Sequence, residues 1–255
     1  MSPLNSKNKI IEIIGPPGVG KSTLYKLLCK SWHPDRPWIY QDALLAPEIP
    51  NILNFINWVE YKYRVLKGKK RAKSIPIDYG LRFINNHEKF ADLCWNYLGN
   101  NSDRINGNLD KRFRSAYFLF TDFCRYQAIE EKLKEKYCLI DEGFLQKSFL
   151  VESKDLDYTH LEKYISLAPL PYAVIYINVA NDSLIQERLK LRNKTIASHL
   201  GKNDDELLTD INNWKYTLDL ITNKLIETDT LIYKVDGAKP LKENIQDVLK
   251  FLSEI

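Results

Sequence analysis

No uninterrupted apolar run in the 255-residue sequence approaches the ~18 residues that a membrane-spanning helix needs, so no spanning segment is expected. Cysteine is sparse too. Cys29, Cys94, Cys124 and Cys138 are scattered with no C-x-x-C pair, which speaks against a disulfide frame or a zinc site and for reduced, buried thiols. Charge of one sign is also lacking: 37 basic against 33 acidic residues leave +4, too mild to indicate nucleic acid. His33, His87, His160 and His199 show no ligand spacing. The stretch Met1 to Lys9 lacks the apolar core of a secretory signal, and a cytoplasmic location is expected. No internal repeat or low-complexity tract is present. The remaining composition, 44% apolar and 27% charged, is that of a globular chain with a real core, which excludes disorder as the general description.

Five short apolar runs read as strands: Ile10 to Ile14, Trp38 to Tyr40, Tyr137 to Ile140, Ala173 to Val179 and Leu231 to Val235. Helical periodicity follows the first run, at Leu24, Leu27 and Leu28, and the last, at Leu241, Ile245, Val248 and Leu252. Strands alternating with helices predict an α/β fold in which helices cover both faces of a parallel sheet. One domain spanning 1–255 is expected. Between the second and third runs, roughly 50–135, there is no strand pattern but three helical faces. These are Ile52, Ile56, Val59, Tyr63 and Leu66; Ile84, His87, Phe90, Ala91 and Cys94; and Phe113, Tyr117, Phe120, Cys124 and Ala128. A turn rich in asparagine and glycine, Gly99 to Asn108, separates the last two. The stretch reads as a helical insertion packed beside the sheet.

Gly15, Pro16, Pro17, Gly18, Val19, Gly20, Lys21 and Ser22 follow the spacing G-x-x-x-x-G-K-[ST], between a β-branched strand and a helix that opens with Lys21, Ser22 and Thr23. Glycines are needed there because the backbone must wrap around phosphate oxygens and turn its N–H groups inward, at a helix end that adds partial positive charge. Lys21 is expected at the β- and γ-phosphates, and the Ser22 hydroxyl on Mg²⁺. Tyr137 to Ile140 delivers Asp141 to the sheet edge, where its carboxylate suits the same metal. Glu142 is either a base that positions water or a substrate or metal contact; a solvated acidic turn is the alternative.

Asp42 follows the second strand, at the edge where an open parallel sheet lines its ligand crevice, and can accept an acceptor's proton or only cap a turn. Glu48 is a second candidate for that role. Arg188 and Arg192 lie four apart, on one face of a helix expected to begin at Ser183 with Gln186 as its capping partner. Guanidinium groups suit a transferring phosphoryl, so 188–205 reads as a lid, or else as a charged solvent-facing helix. The turn at Gly237, Ala238 and Lys239 either covers an adenine ring or simply joins strand to helix. Asn193-Lys194 and Asn223-Lys224 both lack the aspartate of a guanine-reading N-K-x-D, which favours ATP. Seven basic residues from Lys62 to Lys73 suit capture of an anionic acceptor, docking at an anionic membrane surface, or plain solvation. Arg114 and Arg125, before the third strand, either point to the acceptor side or snorkel from the edge of the core.

Taken in order, the phosphate loop, the Asp42 strand end, Leu139-Ile140-Asp141-Glu142-Gly143, the stretch Glu187 to Lys194, and Tyr233 to Leu252 resemble P-loop kinases of the nucleoside and nucleotide type, thymidylate kinase and deoxynucleoside kinase in particular. The resemblance covers about half the chain. It implies a three-layer P-loop NTPase fold with a five-stranded parallel sheet in the order 2-3-1-4-5 and an arginine-bearing lid. It also implies an acceptor-side carboxylate at Asp42 or Glu48, and an adenine site at Gly237, Ala238 and Lys239. One position departs from it: thymidylate kinases carry Asp-Arg and deoxynucleoside kinases Glu-Arg-Ser where this chain has Asp141-Glu142-Gly143.

The expectation is therefore a phosphotransferase that uses ATP and Mg²⁺. Its partner is a small-molecule acceptor, with a nucleoside or nucleotide ahead of a sugar or glycan hydroxyl. No nucleic acid is expected, and a homodimer is compatible with the sequence. The runner-up is an ATP-hydrolysing switch in which Glu142 positions water.

Overall fold

Ile10, Ile11, Glu12, Ile13 and Ile14 form β1 and have no solvent-exposed surface. That is the environment of a central parallel strand, covered on both faces, and it explains the near-continuous run of isoleucine. The computed structural model describes residues 8–46, 52–66, 75–100, 109–151, 158–191 and 202–255. After β1 come α1 (Lys21–Lys30), β2 (Trp38–Tyr40) and the single turn α2 (Gln41–Leu44). The insertion follows as α3 (Phe55–Leu66), α4 (Ile77–Asn86), α5 (Glu88–Asn100) and α6 (Leu109–Lys132). Then come β3 (Tyr137–Ile140), a 3₁₀ turn (Gln146–Val151), α7 (Tyr158–Leu167), β4 (Ala173–Asn178), α8 (Asp182–Lys190), α9 (Asp204–Ile226), β5 (Leu231–Asp236) and α10 (Leu241–Glu254).

All five strands run parallel in the order β2-β3-β1-β4-β5, as the resemblance implied. Register pairs Ile11 with both Leu139 and Ala173, so the ends of β1 and β3 open on one edge beside the phosphate loop. Alternation splits the sheet's side chains between two layers. Ile11 and Ile13 join Leu24 and Leu28 of α1 and Val248 and Leu252 of α10. Ile10 faces Phe83, Phe90, Phe123 and Tyr126 of the insertion, and Ile14 faces Leu218 and Ile221 of α9. Glu12 shares the parity of Ile10 and Ile14, which sends its carboxylate into the insertion side.

The insertion differs from its sequence pattern in detail. The face through Ile84, His87 and Phe90 belongs to two helices, because His87 leaves helical geometry (φ −127°, ψ 43°) while its N–H still closes on the Phe83 carbonyl. No glycine or proline announces that break. Gly99 and Asn100 continue α5 rather than open a turn. On α6 only the C-terminal part of the expected face is buried: Cys124 and Ala128 are inside, while Phe113 and Tyr117 face solvent. Helix α8 starts one residue before Ser183, with Asn181 as the cap: its side-chain oxygen accepts from the Ser183 N–H, and Gln186 donates instead to the Asp204 carbonyl. Asparagine is as good a cap as serine, and it stands where the chain leaves β4.

Candidate functional site

The phosphate loop is built by backbone geometry that its glycines permit. Gly18 (φ 91°) and Gly20 (φ 103°) occupy the left-handed region, where a β-carbon is strained. At Gly18 a β-carbon would also come within 2.9 Å of the Leu189 side chain and 3.0 Å of Ile185, so α8 presses directly on the loop. Gly20 caps α1, and its carbonyl accepts from the Thr23 and Leu24 N–H groups. Lys21 Nζ folds back onto the carbonyls of Gly15 (2.5 Å) and Pro16 (3.0 Å), a compact cationic end to the cradle. Ser22 is half-buried in the first turn of α1.

A cleft of about 520 Å³ opens between Gly18 to Gly20, the side chain of Arg188, and the turn Gly237 to Pro240. The turn is fixed by hydrogen bonds from Gly237 N–H to the Asn178 carbonyl (2.7 Å), Ala238 N–H to Asp236 Oδ1 (2.9 Å), and Asn244 Nδ2 to the Asp236 carbonyl (2.9 Å). Arg188 Nη1 donates to the Gly237 carbonyl at 3.0 Å, which closes the wall between α8 and the turn. Gly237, Ala238 and Lys239 thus line one cleft with the phosphate loop, and Arg188 stands in its wall. Arg192 and Glu48 lie outside the described residues, as does most of the span expected as a lid.

At the other side of the loop, Asp141 follows β3 directly, half-buried, and Glu142 is exposed. Asp42 sits in the first turn of α2, straight after β2. Both carboxylates act on the same stretch of α1. Burial raises the Tyr25 phenol first, with Cys29, Asp42 and Asp141 adding in the same direction. Burial likewise pushes the Cys29 thiol up to about 11, and the same two aspartates help. Tyr40 pairs with Leu139, so the neighbouring strands β2 and β3 bring Asp42 and Asp141 to one edge of the sheet. Among the described residues, no group of three or more His, Cys, Asp or Glu could hold a metal ion. One hydroxyl and one carboxylate, Ser22 and Asp141, fit the sparse protein share of a magnesium site completed by phosphates and water.

Two residues that the sequence reading left without a role, Glu12 and Gln146, shape this edge together with Arg125. Glu12 accepts from three backbone N–H groups of the segment after β3: Gly143 (3.0 Å), Leu145 (3.3 Å) and Gln146 (2.7 Å). Burial raises its carboxyl to about 7, against the pull of those three donors and of Arg125. Gln146 in turn accepts from the Gly15 N–H at 2.9 Å, so the segment carrying Asp141 is tied to the start of the phosphate loop. Arg125 of α6 donates to the Glu142 carbonyl (2.5 Å) and pairs with buried Asp122 (2.9 Å), which also holds Lys147 (2.5 Å). Arg125 thus braces the Asp141-Glu142 turn from behind, whereas Arg114 is exposed. One signal in the sequence pointed to Glu12: a lone acid inside a run of isoleucine must be paired or bonded to be buried.

No protein-family model matches the chain, and no curated protein is similar to it. Among solved structures, the chain is similar to a shikimate kinase from Bacteroides thetaiotaomicron, with 14% identity over 96% of this chain and 98% of that one and a TM-score of 0.41. That likeness is loose, and the site geometry stands without it.

Proposed function

We propose that the protein is a Mg-ATP-dependent kinase that transfers the γ-phosphoryl group to a small-molecule acceptor. The observation that supports it most is the arrangement around α1. A phosphate-loop helix begins there, a nucleotide-sized cleft lies on one side, and two strand-end carboxylates, Asp42 and Asp141, lie on the other. In this reading the base of ATP lies against Gly237, Ala238 and Lys239, with Arg188 in the wall. Gly18, Val19 and Gly20 turn their backbone N–H groups to the phosphates, Pro16 and Pro17 shape the loop without donating, and Lys21 turns from the loop carbonyls to the β- and γ-phosphates. Ser22 and Asp141 hold Mg²⁺, which when bound neutralises charge between those phosphates. Asp42 orients the acceptor and takes the proton of its hydroxyl. Arg192 is the cation proposed for the transferring group.

A nucleoside or nucleotide is the first acceptor class to test, and a sugar or glycan hydroxyl the second. The exposure of Glu142, next to Asp141, favours one other reading, an ATP-hydrolysing switch in which that carboxylate positions water. Two isosteric variants separate these readings when acceptor panels, acceptor-free hydrolysis and ATP affinity are all measured. For the kinase, Asp42→Asn lowers acceptor-dependent turnover by ~10²-fold or more with ATP affinity little changed. For the switch, Glu142→Gln stops hydrolysis that no acceptor stimulates, and Asp42→Asn is nearly silent. Hydrolysis indifferent to every acceptor and lost only in Glu142→Gln rejects the kinase.

A further inference from the structure

Among the described residues, one face of α3 is left uncovered. Phe55, Ile56, Val59 and Leu66 recur at helical spacing on one side, and Ile52 just before the helix is exposed as well. That side points to solvent: Phe55 is 67%, Ile56 79% and Leu66 85% exposed. Trp58 and Tyr61, on the other side, are half-buried. Helices draw most of their stability from burying the apolar stripe, and an exposed contiguous stripe marks a surface made for contact.

Charge identifies the contact. Between Glu60 and Asp78 the sequence has no acidic residue and seven basic ones: Lys62, Arg64, Lys67, Lys69, Lys70, Arg71 and Lys73. The last five follow Leu66 within seven positions, so covalent geometry alone keeps them within ~25 Å of the end of α3. Self-association through this face would bring two such sets of cations together, which opposes a second copy as occupant. An anionic bilayer offers what the face lacks, an apolar layer bordered by diffuse negative charge. No helix among the described residues is long and apolar enough to cross a membrane, so the contact is peripheral.

We infer that α3 is an interfacial helix that lays Phe55, Ile56, Val59 and Leu66 into the headgroup–acyl boundary of an anionic membrane, in a stretch of sequence whose next residues are basic. This attachment is independent of the reaction the protein catalyses.

Flotation of the full chain with vesicles tests it. The wild type binds phosphatidylserine-containing vesicles at least tenfold more tightly than vesicles of phosphatidylcholine alone, and added salt weakens the binding. Ile56→Asp with Val59→Asp, both at exposed positions, leaves the thermal unfolding midpoint unchanged and lowers binding by tenfold or more. Lys69→Gln with Lys70→Gln lowers it about fivefold per lost cation. Absence of vesicle binding overturns the inference, and so does binding indifferent to the Ile56 and Val59 changes. A wild-type dimer in light scattering that Ile56→Asp with Val59→Asp converts to monomer, without vesicle uptake, assigns the face to a second copy and overturns it too.

Discussion

Glu12→Gln tests whether a buried charge underlies the edge that carries Asp141. Glutamine matches the shape of the protonated acid and removes its titration. In the native protein burial raises the Glu12 carboxyl from 4.5 to about 7, so between those values the folded state holds a proton that the unfolded chain has released. Stability conferred by the wild-type side chain must therefore fall as pH rises through that window, with the protonated form favoured below it. A shift of this size corresponds to about 3 kcal/mol between the two limits. Urea unfolding of both proteins across that pH range gives the difference directly. The variant should be somewhat less stable than the wild type at the acid end, because the glutamine oxygen keeps the Gly143 and Gln146 donors while the Leu145 N–H faces an amide NH2 that cannot accept. It should gain on the wild type by up to about 3 kcal/mol toward pH 8. A difference that does not change with pH, or one that moves the other way, refutes the reasoning. It would mean that the Gly143, Leu145 and Gln146 donors hold Glu12 ionised throughout.

Other changes read other parts of the site. Lys21→Ala should abolish turnover with little change in thermal unfolding, because a half-buried lysine at the loop adds phosphate charge and little packing; near-normal activity rejects the phosphate-loop role. Gly143→Ala should destabilise by about 1–3 kcal/mol or more in urea unfolding, since its β-carbon would lie 2.5 Å from the Glu12 carboxylate. Arg188→Ala should raise the KM for ATP about tenfold while kcat falls less, as expected for a wall of the base-side cleft; a loss confined to kcat would place the guanidinium at the transferring group instead.

The scaffold was readable in the sequence because its signals are local. Each strand is a short apolar run, and the loop is a fixed spacing of glycine, lysine and serine between a strand and a helix. The insertion was less readable, since its boundaries depend on tertiary contacts. His87 breaks a helix with no breaker residue. The apolar stripe of α3 has the period of a core helix but lies on the outside. Arg188 was placed on the right helix by spacing alone, yet its bond to the Gly237 carbonyl depends on β5 and α10 coming back beside the loop, 49 residues later. Gln146 is the hardest case: 131 residues separate it from Gly15, and nothing about a glutamine after a strand suggests a bond to the phosphate loop.

Glu12 also bears on the position at which the chain departs from the nucleoside and nucleotide kinases it resembles. Thymidylate kinases carry Asp-Arg there and deoxynucleoside kinases Glu-Arg-Ser, where this chain has Asp141-Glu142-Gly143, so Glu142 stands at the arginine and Gly143 at the serine. Read as a change in the acceptor site, that difference counts against a nucleoside. In the structure the segment packs on its own carboxylate: the Gly143 N–H bonds to Glu12, and any β-carbon at 143 would strike Glu12 and the Ile140 side chain. Arg125, reaching across from α6 to the Glu142 carbonyl, supplies a guanidinium behind the same turn. Gly143 is thus explained by an acid buried in β1, and it gives no information about the acceptor. Under the proposed function, acceptor choice is to be tested by substitution at Asp42 and along the insertion.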